Sequence, residues 1–247
     1  MAKESIDTSK ANGKDEEQLK ISEPKFHVAT FNVTGTAAYL QQRMSAKVKE
    51  QMKKKQEAGS TATKGAQREK KDFKACYEAA KHKSKEGWCG IPAAAFRAAL
   101  ISVCKITGYQ MSKAKLTLFI DPVDGYDGKS GTPLVRIEGE PRMSIMPAPN
   151  ANGNLDLRAR PFWAPGWRAT VHVRYDTDIW KLEEVANGML RAGIQVGVGE
   201  GRHDSKRSFG IGTGTFDVQY VSDKEYVADA GMPGKLNLVG ETGLGVD

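Results

Sequence analysis

The chain has 247 residues, of which 39% are hydrophobic, and its 37 Lys and Arg against 30 Asp and Glu give a net charge of +7. That length suits one large domain or a core with insertions, and the basic balance points to polyanionic partners without specifying a fold. No run approaches the ~18 apolar residues of a membrane span, and the polar first residues lack the apolar stretch of a secretion signal, so the expectation is a cytoplasmic protein with no membrane partner.

Residues 1–24 are rich in Lys, Glu, Asp and Ser and read as a disordered leader ending at Pro24. FHVATFNVT (26–34) alternates as a strand, with Phe26, Val28 and Thr30 on one side and His27, Ala29, Phe31 and Val33 on the other. After Gly35 a helix is expected from Thr36 through Leu40, Met44 and Val48. Residues 43–85 hold fourteen Lys and Arg against five Asp and Glu, a local net of +9 that leaves the rest of the chain at −2. The centre of this insert, EAGSTATKGAQ, reads as a flexible loop between two basic helical pieces.

GIPAAAFRAALISVCKIT (90–107) is a helix with Pro92 at its start, where the missing N–H costs little. Ala93, Phe96, Leu100 and Cys104 form its apolar stripe, flanked by Ala99 and Val103. KLTLFI (115–120) reads as a strand, followed by a turn-rich loop. Residues 134–146 read as two strands about a kink at Gly139–Pro141, with a loop over 147–156. RATVHVRYD (168–176) is an alternating strand, Ala169, Val171 and Val173 inward, Arg168, His172 and Arg174 outward. Residues 181–192 form a second helix, whose early Glu183 and Glu184 suit the positive end of the helix dipole. A glycine-rich loop then leads to a final strand, FDVQYV, and a loosely ordered tail, 223–247. Without its insert, the order is strand–helix–strand twice. That order predicts an α+β, ferredoxin-like antiparallel sheet with two core helices, in one domain over 25–222.

Three constellations point to nucleic acid. Gly193, Gly197, Gly199, Gly201, Gly210, Gly212 and Gly214 are interleaved with Arg202, His203, Lys206 and Arg207. Such a loop offers backbone amides and cations to phosphates, while its place after a helix and before a strand does not fit a P-loop. The basic insert supplies Arg43, Lys47, Lys53, Lys54, Lys55, Arg68, Lys70 and Lys71. RARPFWAPGWR (158–168) sets Trp163 and Trp167 among Arg158 and Arg160, a composition suited to splayed bases.

Catalytic patterns are thin. The histidines fall in no HExxH motif and no GxSxG is present. Asp121, Asp124 and Asp127 do not follow calcium-loop spacing. Cys76, Cys89 and Cys104 match no zinc pattern and are odd in number, so free thiols are expected. No enzyme and no cofactor is expected. The alternatives are a metal-independent endoribonuclease using His203 or His27, and a viral interaction protein that binds proteins instead.

FNVTGTAAYLQQR, GIPAAAFRAAL and IQVGVGEGRHDSKRSFGIGTGTF occur in an order that resembles the RAMP superfamily, the RRM-like proteins of CRISPR effector complexes and their relatives; some phage proteins have the same general look. The resemblance implies a subunit that stacks side by side as a homo-oligomer and coats single-stranded RNA or DNA. It further implies phosphate contacts by Gly199, Gly201, Arg202, Lys206 and Arg207, with Arg43 and Lys47 near the strand.

Overall fold

The computed structural model describes residues 23–43, 50, 72–149, 155–205, 211–228 and 236–238. The expected leader, apart from residues 23 and 24, lies outside the described residues. So do 44–49, 51–71 and much of the tail.

The principal sheet has five antiparallel strands. They are β1 (Phe26–Gly35), β4 (Leu118–Ile120), β9 (Arg168–Asp176), β10 (Phe216–Ala228) and β11 (Leu236–Leu238), in the order β11-β10-β1-β9-β4. β1 is central because both its edges are paired, from His27↔Glu225 to Gly35↔Phe216 on one side and from Phe26↔Asp176 to Thr34↔Arg168 on the other. Its register with β10 slips between Thr30 and Phe31, a bulge. Alternation sets the faces: Ala29, Phe31 and Val33 join Ala169, Val171, Val173, Tyr175, Leu118 and Ile120 in one buried core.

Helices complete that core. α2 (Ala93–Ile106) buries Ala93, Phe96, Ala99, Leu100, Val103 and Cys104, the stripe its sequence predicts. α4 (Leu182–Arg191) buries Val185 and Met189 and runs on into a π-helical turn, Ala192–Val196. At its start the Glu184 carboxylate accepts the Lys181 amide at 2.9 Å. Phe96 of α2 meets Phe216 of β10 edge-on, 5.7 Å between ring centres.

Two small three-stranded sheets flank this body. One joins β3 (Gly90–Pro92), β6 (Pro133–Arg136) and β5 (Gly125–Tyr126). The other joins β2 (Tyr39–Leu40), β8 (Leu155–Trp163) and β7 (Arg142–Pro149), with the short helix α1 (Phe73–Ala80) against β8.

Several local expectations are corrected. Residues 36–43 are not helical: a bend at 36 and 37 leads into the short strand Tyr39–Leu40. Their backbone groups are paired with distant partners: Thr36 N to Thr215 O at 2.9 Å, Gln41 N to Pro161 O at 3.1 Å, Arg43 N to Ala80 O at 3.1 Å. Residues 44–48 of that expected helix lie outside the described residues. A further helix, α3 (Met111–Thr117), occupies the first half of KLTLFI, leaving only Leu118–Ile120 as strand. The expected loop over 147–156 is shorter, since β7 runs to Pro149 and β8, which holds RARPFW, begins at Leu155, and β10 continues past the expected tail boundary to Ala228. All three cysteines are free.

Phe96 is almost fully buried and packs its helix against Phe216 of the sheet. Phe96→Ala is expected to lower unfolding free energy by about 3–5 kcal/mol, read by urea denaturation.

Candidate nucleic-acid interface

The face of the principal sheet opposite the core is set by the even-numbered residues of β1 and β9. Asn32, Thr34, Arg168 and Thr170 are exposed, as are their β10 neighbours Asp217, Gln219 and Lys224. At one end of this face three half-buried rings surround a guanidinium. Arg174 lies 4.5 Å from the Tyr226 ring, 4.9 Å from Phe119 and 5.5 Å from Phe26. The rings meet one another edge-on, Phe26 to Phe119 at 6.1 Å and Phe26 to Tyr226 at 6.4 Å. Asp121 holds the guanidinium from the side at 3.2 Å, and burial raises the Asp121 pKa against the opposing pull of Arg174. Along β1 the aromatic end gives way to hydrogen-bonding groups: Thr30 bonds His172 at 3.1 Å, and the Thr170 hydroxyl donates to Asn32 Oδ1 at 3.0 Å. Flat rings, one cation and polar side chains on an antiparallel sheet can stack and hydrogen-bond unpaired bases.

Sequence reasoning did not select these rings. The alternation of β1 did put Phe26 on the side opposite Ala29, Phe31 and Val33, and Phe119 pairs with Arg174 across β4 and β9. Tyr226 sits where the sequence reads as tail.

The glycine loop plays a different part from the one expected. The amides of Val198, Glu200, His203, Gly212, Thr213 and Gly214 all donate to carbonyls of the protein itself, at 2.7–3.2 Å. Those six amides are therefore not free for phosphate. A side chain on Gly199 would press on the Leu40 carbonyl and the Tyr39 ring, and one on Gly201 on Thr213 and Ile211. These glycines permit close packing. The loop nonetheless reaches the origin of the basic insert, since Glu200 N donates to Leu40 O at 2.9 Å.

Trp163 and Trp167 are corrected too. They are 2% and 4% exposed, pack against Tyr39, and donate their indole N–H to Gly139 O and Ala37 O. A buried, satisfied indole offers no stacking face. Arg160 is buried and paired with Glu200, which also lies 3.9 Å from the less buried Arg158. Arg202 is half exposed, paired with Asp204 at 2.6 Å, and donates to Gly199 O. His203 is exposed. Arg43 is ion-paired with Asp127 at 3.3 Å. Lys47, Lys53, Lys54, Lys55, Arg68, Lys70, Lys71, Lys206 and Arg207 lie outside the described residues.

His27 donates to Asp223 at 2.7 Å, and Tyr175 OH donates to the other oxygen of that carboxylate at 3.1 Å. This trio lies on the core side of the sheet, away from the three rings. Among the described residues no group of three His, Cys, Asp or Glu is placed to hold a metal ion, and no helix is long and apolar enough to cross a membrane. No protein-family model matches the chain, and no curated protein matches it.

Burial lowers the pKa of His82 and of His172, overriding the opposing pull of Asp127 on the first and Asp124 on the second. Below about pH 6.5 these two histidines therefore bind more protons in the unfolded chain than in the folded one, and stability falls as the pH falls. The thermal midpoint is expected to drop between about pH 7 and about pH 5, and the drop should shrink when both histidines are replaced by Gln, as calorimetry can follow.

Proposed function

We propose that this chain binds single-stranded nucleic acid, RNA or DNA, as a non-catalytic, strand-coating subunit on a ferredoxin-like, RRM-like core. The observation that carries the reading is the outer sheet face, where Phe26, Phe119 and Tyr226 ring Arg174 beside exposed Asn32, Thr170 and Lys224. Bases stack on such rings whatever their identity, so affinity without strong sequence preference follows.

Three further features support it. The strand order β10-β1-β9-β4, with α2 joining β1 to β4 and α4 joining β9 to β10, is that of two interleaved β–α–β units. The insert supplies the electrostatic component, nine Lys and Arg against three Glu over residues 44–71. For side-by-side assembly, the β7–β8 hairpin offers Met143, Ile145 and Leu157, all about half exposed.

The test is fluorescence anisotropy with a single-stranded oligonucleotide across a salt series. Affinity is expected to fall steeply with salt. Phe26→Ala and Tyr226→Ala are each expected to cost roughly 1–3 kcal/mol of binding while leaving the salt slope unchanged. No affinity at low salt would instead favour a protein-binding role.

A further inference from the structure

We infer that the free edge of β10 pairs with the same edge of a second copy of this chain, about a twofold axis between Tyr220 and Val221. The inference goes beyond the nucleic-acid reading and does not rest on it.

β10 is the longest strand of the principal sheet, Phe216–Ala228. On the side away from β1 it is paired, among the described residues, only at Tyr226–Ala228, with β11. Residues 216–225 therefore present backbone N–H and C=O groups along an edge with no described strand against them, a template for another strand.

Apolar groups flank that edge. Tyr220 and Val221 are each about half exposed at its middle. α4 packs on β10, with Gly188 towards Leu100 of α2 and Gly193 towards Phe216 of β10. With about 3.6 residues per turn, Leu190 and Ile194 fall on the flank of this helix away from α2, over the free edge, and both are exposed.

The edge is complementary to itself. In an antiparallel pairing about the axis, Tyr220 meets Val221, Gln219 meets Ser222, Val218 meets Asp223 and Asp217 meets Lys224. The register with β1 shows that these partners share a side of the sheet. Asp217, Gln219, Ser222 and Lys224 lie opposite Thr34, Asn32, Thr30 and Val28, while Val218 and Asp223 lie opposite Val33 and Ala29. Asp217 and Lys224 are both exposed, and among the described residues neither has an ion-pair partner. The twofold forms that opposite-charge pair twice.

The bulge selects the partner. Val221 is the extra residue where the register with β1 slips between Thr30 and Phe31. A bulge twists an edge and disfavours a regular foreign strand. A second copy brings its own bulge to the same point, Val221 against Tyr220 and Tyr220 against Val221. The flanks that carry Leu190 and Ile194 then approach each other on the core side, and the two outer sheet faces join into one surface.

The experiment is sedimentation of the full chain without nucleic acid, up to about 100 μM, above the micromolar limit of standard-size interfaces. The wild-type chain is expected to self-associate. Asp217→Lys and Lys224→Asp are each expected to weaken that association about tenfold or more, because two opposite-charge pairs become two like-charge pairs. An equimolar mixture of the two variants is expected to restore it, since each heterodimer regains both opposite-charge pairs. A wild-type chain that stays monomeric throughout would overturn the inference and leave the edge to another occupant. Single variants that associate as tightly as the wild type, or a mixture that associates no better than either variant alone, would overturn it equally. Should either variant fail to fold, Val221→Lys places two cations at the axis, and unchanged association would again overturn the pairing. Oligonucleotide anisotropy tests the nucleic-acid reading separately, so failure of one leaves the other standing.

Discussion

Around the segment after β1 the backbone approaches its neighbours too closely for a side chain at Gly35 or Gly214, and the arrangement there depends on that close approach. A side chain on Gly35 would overlap the Trp167 ring, and one on Gly214 would overlap the Val198 carbonyl. Gly214 also sits at φ 74°, a backbone region that L-residues with side chains rarely adopt. With those atoms absent, residues 35–41 run between Trp167, β8 and the glycine loop, and their backbone groups are bonded in all three directions. Tyr39 is buried there between Trp163 and Trp167, where burial raises its phenol pKa well above the usual range. A helix over this stretch would have turned its amides and carbonyls back on themselves and left the loop and β8 without partners.

That packing also distributes the charge. Arg158 and Arg160 face Glu200, Arg43 faces Asp127, Arg174 faces Asp121 and Arg202 faces Asp204. Partly buried arginines of this kind hold elements together, and losing their acid partners would leave charges poorly solvated. These five arginines of the body thus serve internal pairing. Within the insert, residues 44–71 carry a net charge of +6, close to the +7 of the whole chain.

The sequence revealed the periodic elements well. The alternation in β1 and β9 and the stripe of α2 are set by a core that repeats at two or about 3.6 residues, and each lies where its pattern puts it. It was least informative where long-range pairing overrides local preference. Thr36–Arg43 has helix-compatible residues yet is not helical, because its partners Ala80, Pro161, Glu200 and Thr215 are 37 or more residues away. Trp163 and Trp167, flanked by arginines, look like a stacking surface, but only their contacts with Tyr39 reveal them as core. The platform of Phe26, Phe119 and Tyr226 comes from three separate strands, so no linear motif marks it.

The outer sheet face is tested most directly by photo-crosslinking the protein to a single-stranded oligonucleotide carrying halogenated pyrimidines, with the adducts mapped by mass spectrometry. The account predicts adducts concentrated on the peptides that contain Phe26, Phe119 and Tyr226, competed away by unlabelled strand. Adducts confined to the helices on the opposite side of the sheet, with those three peptides unmodified, would contradict it.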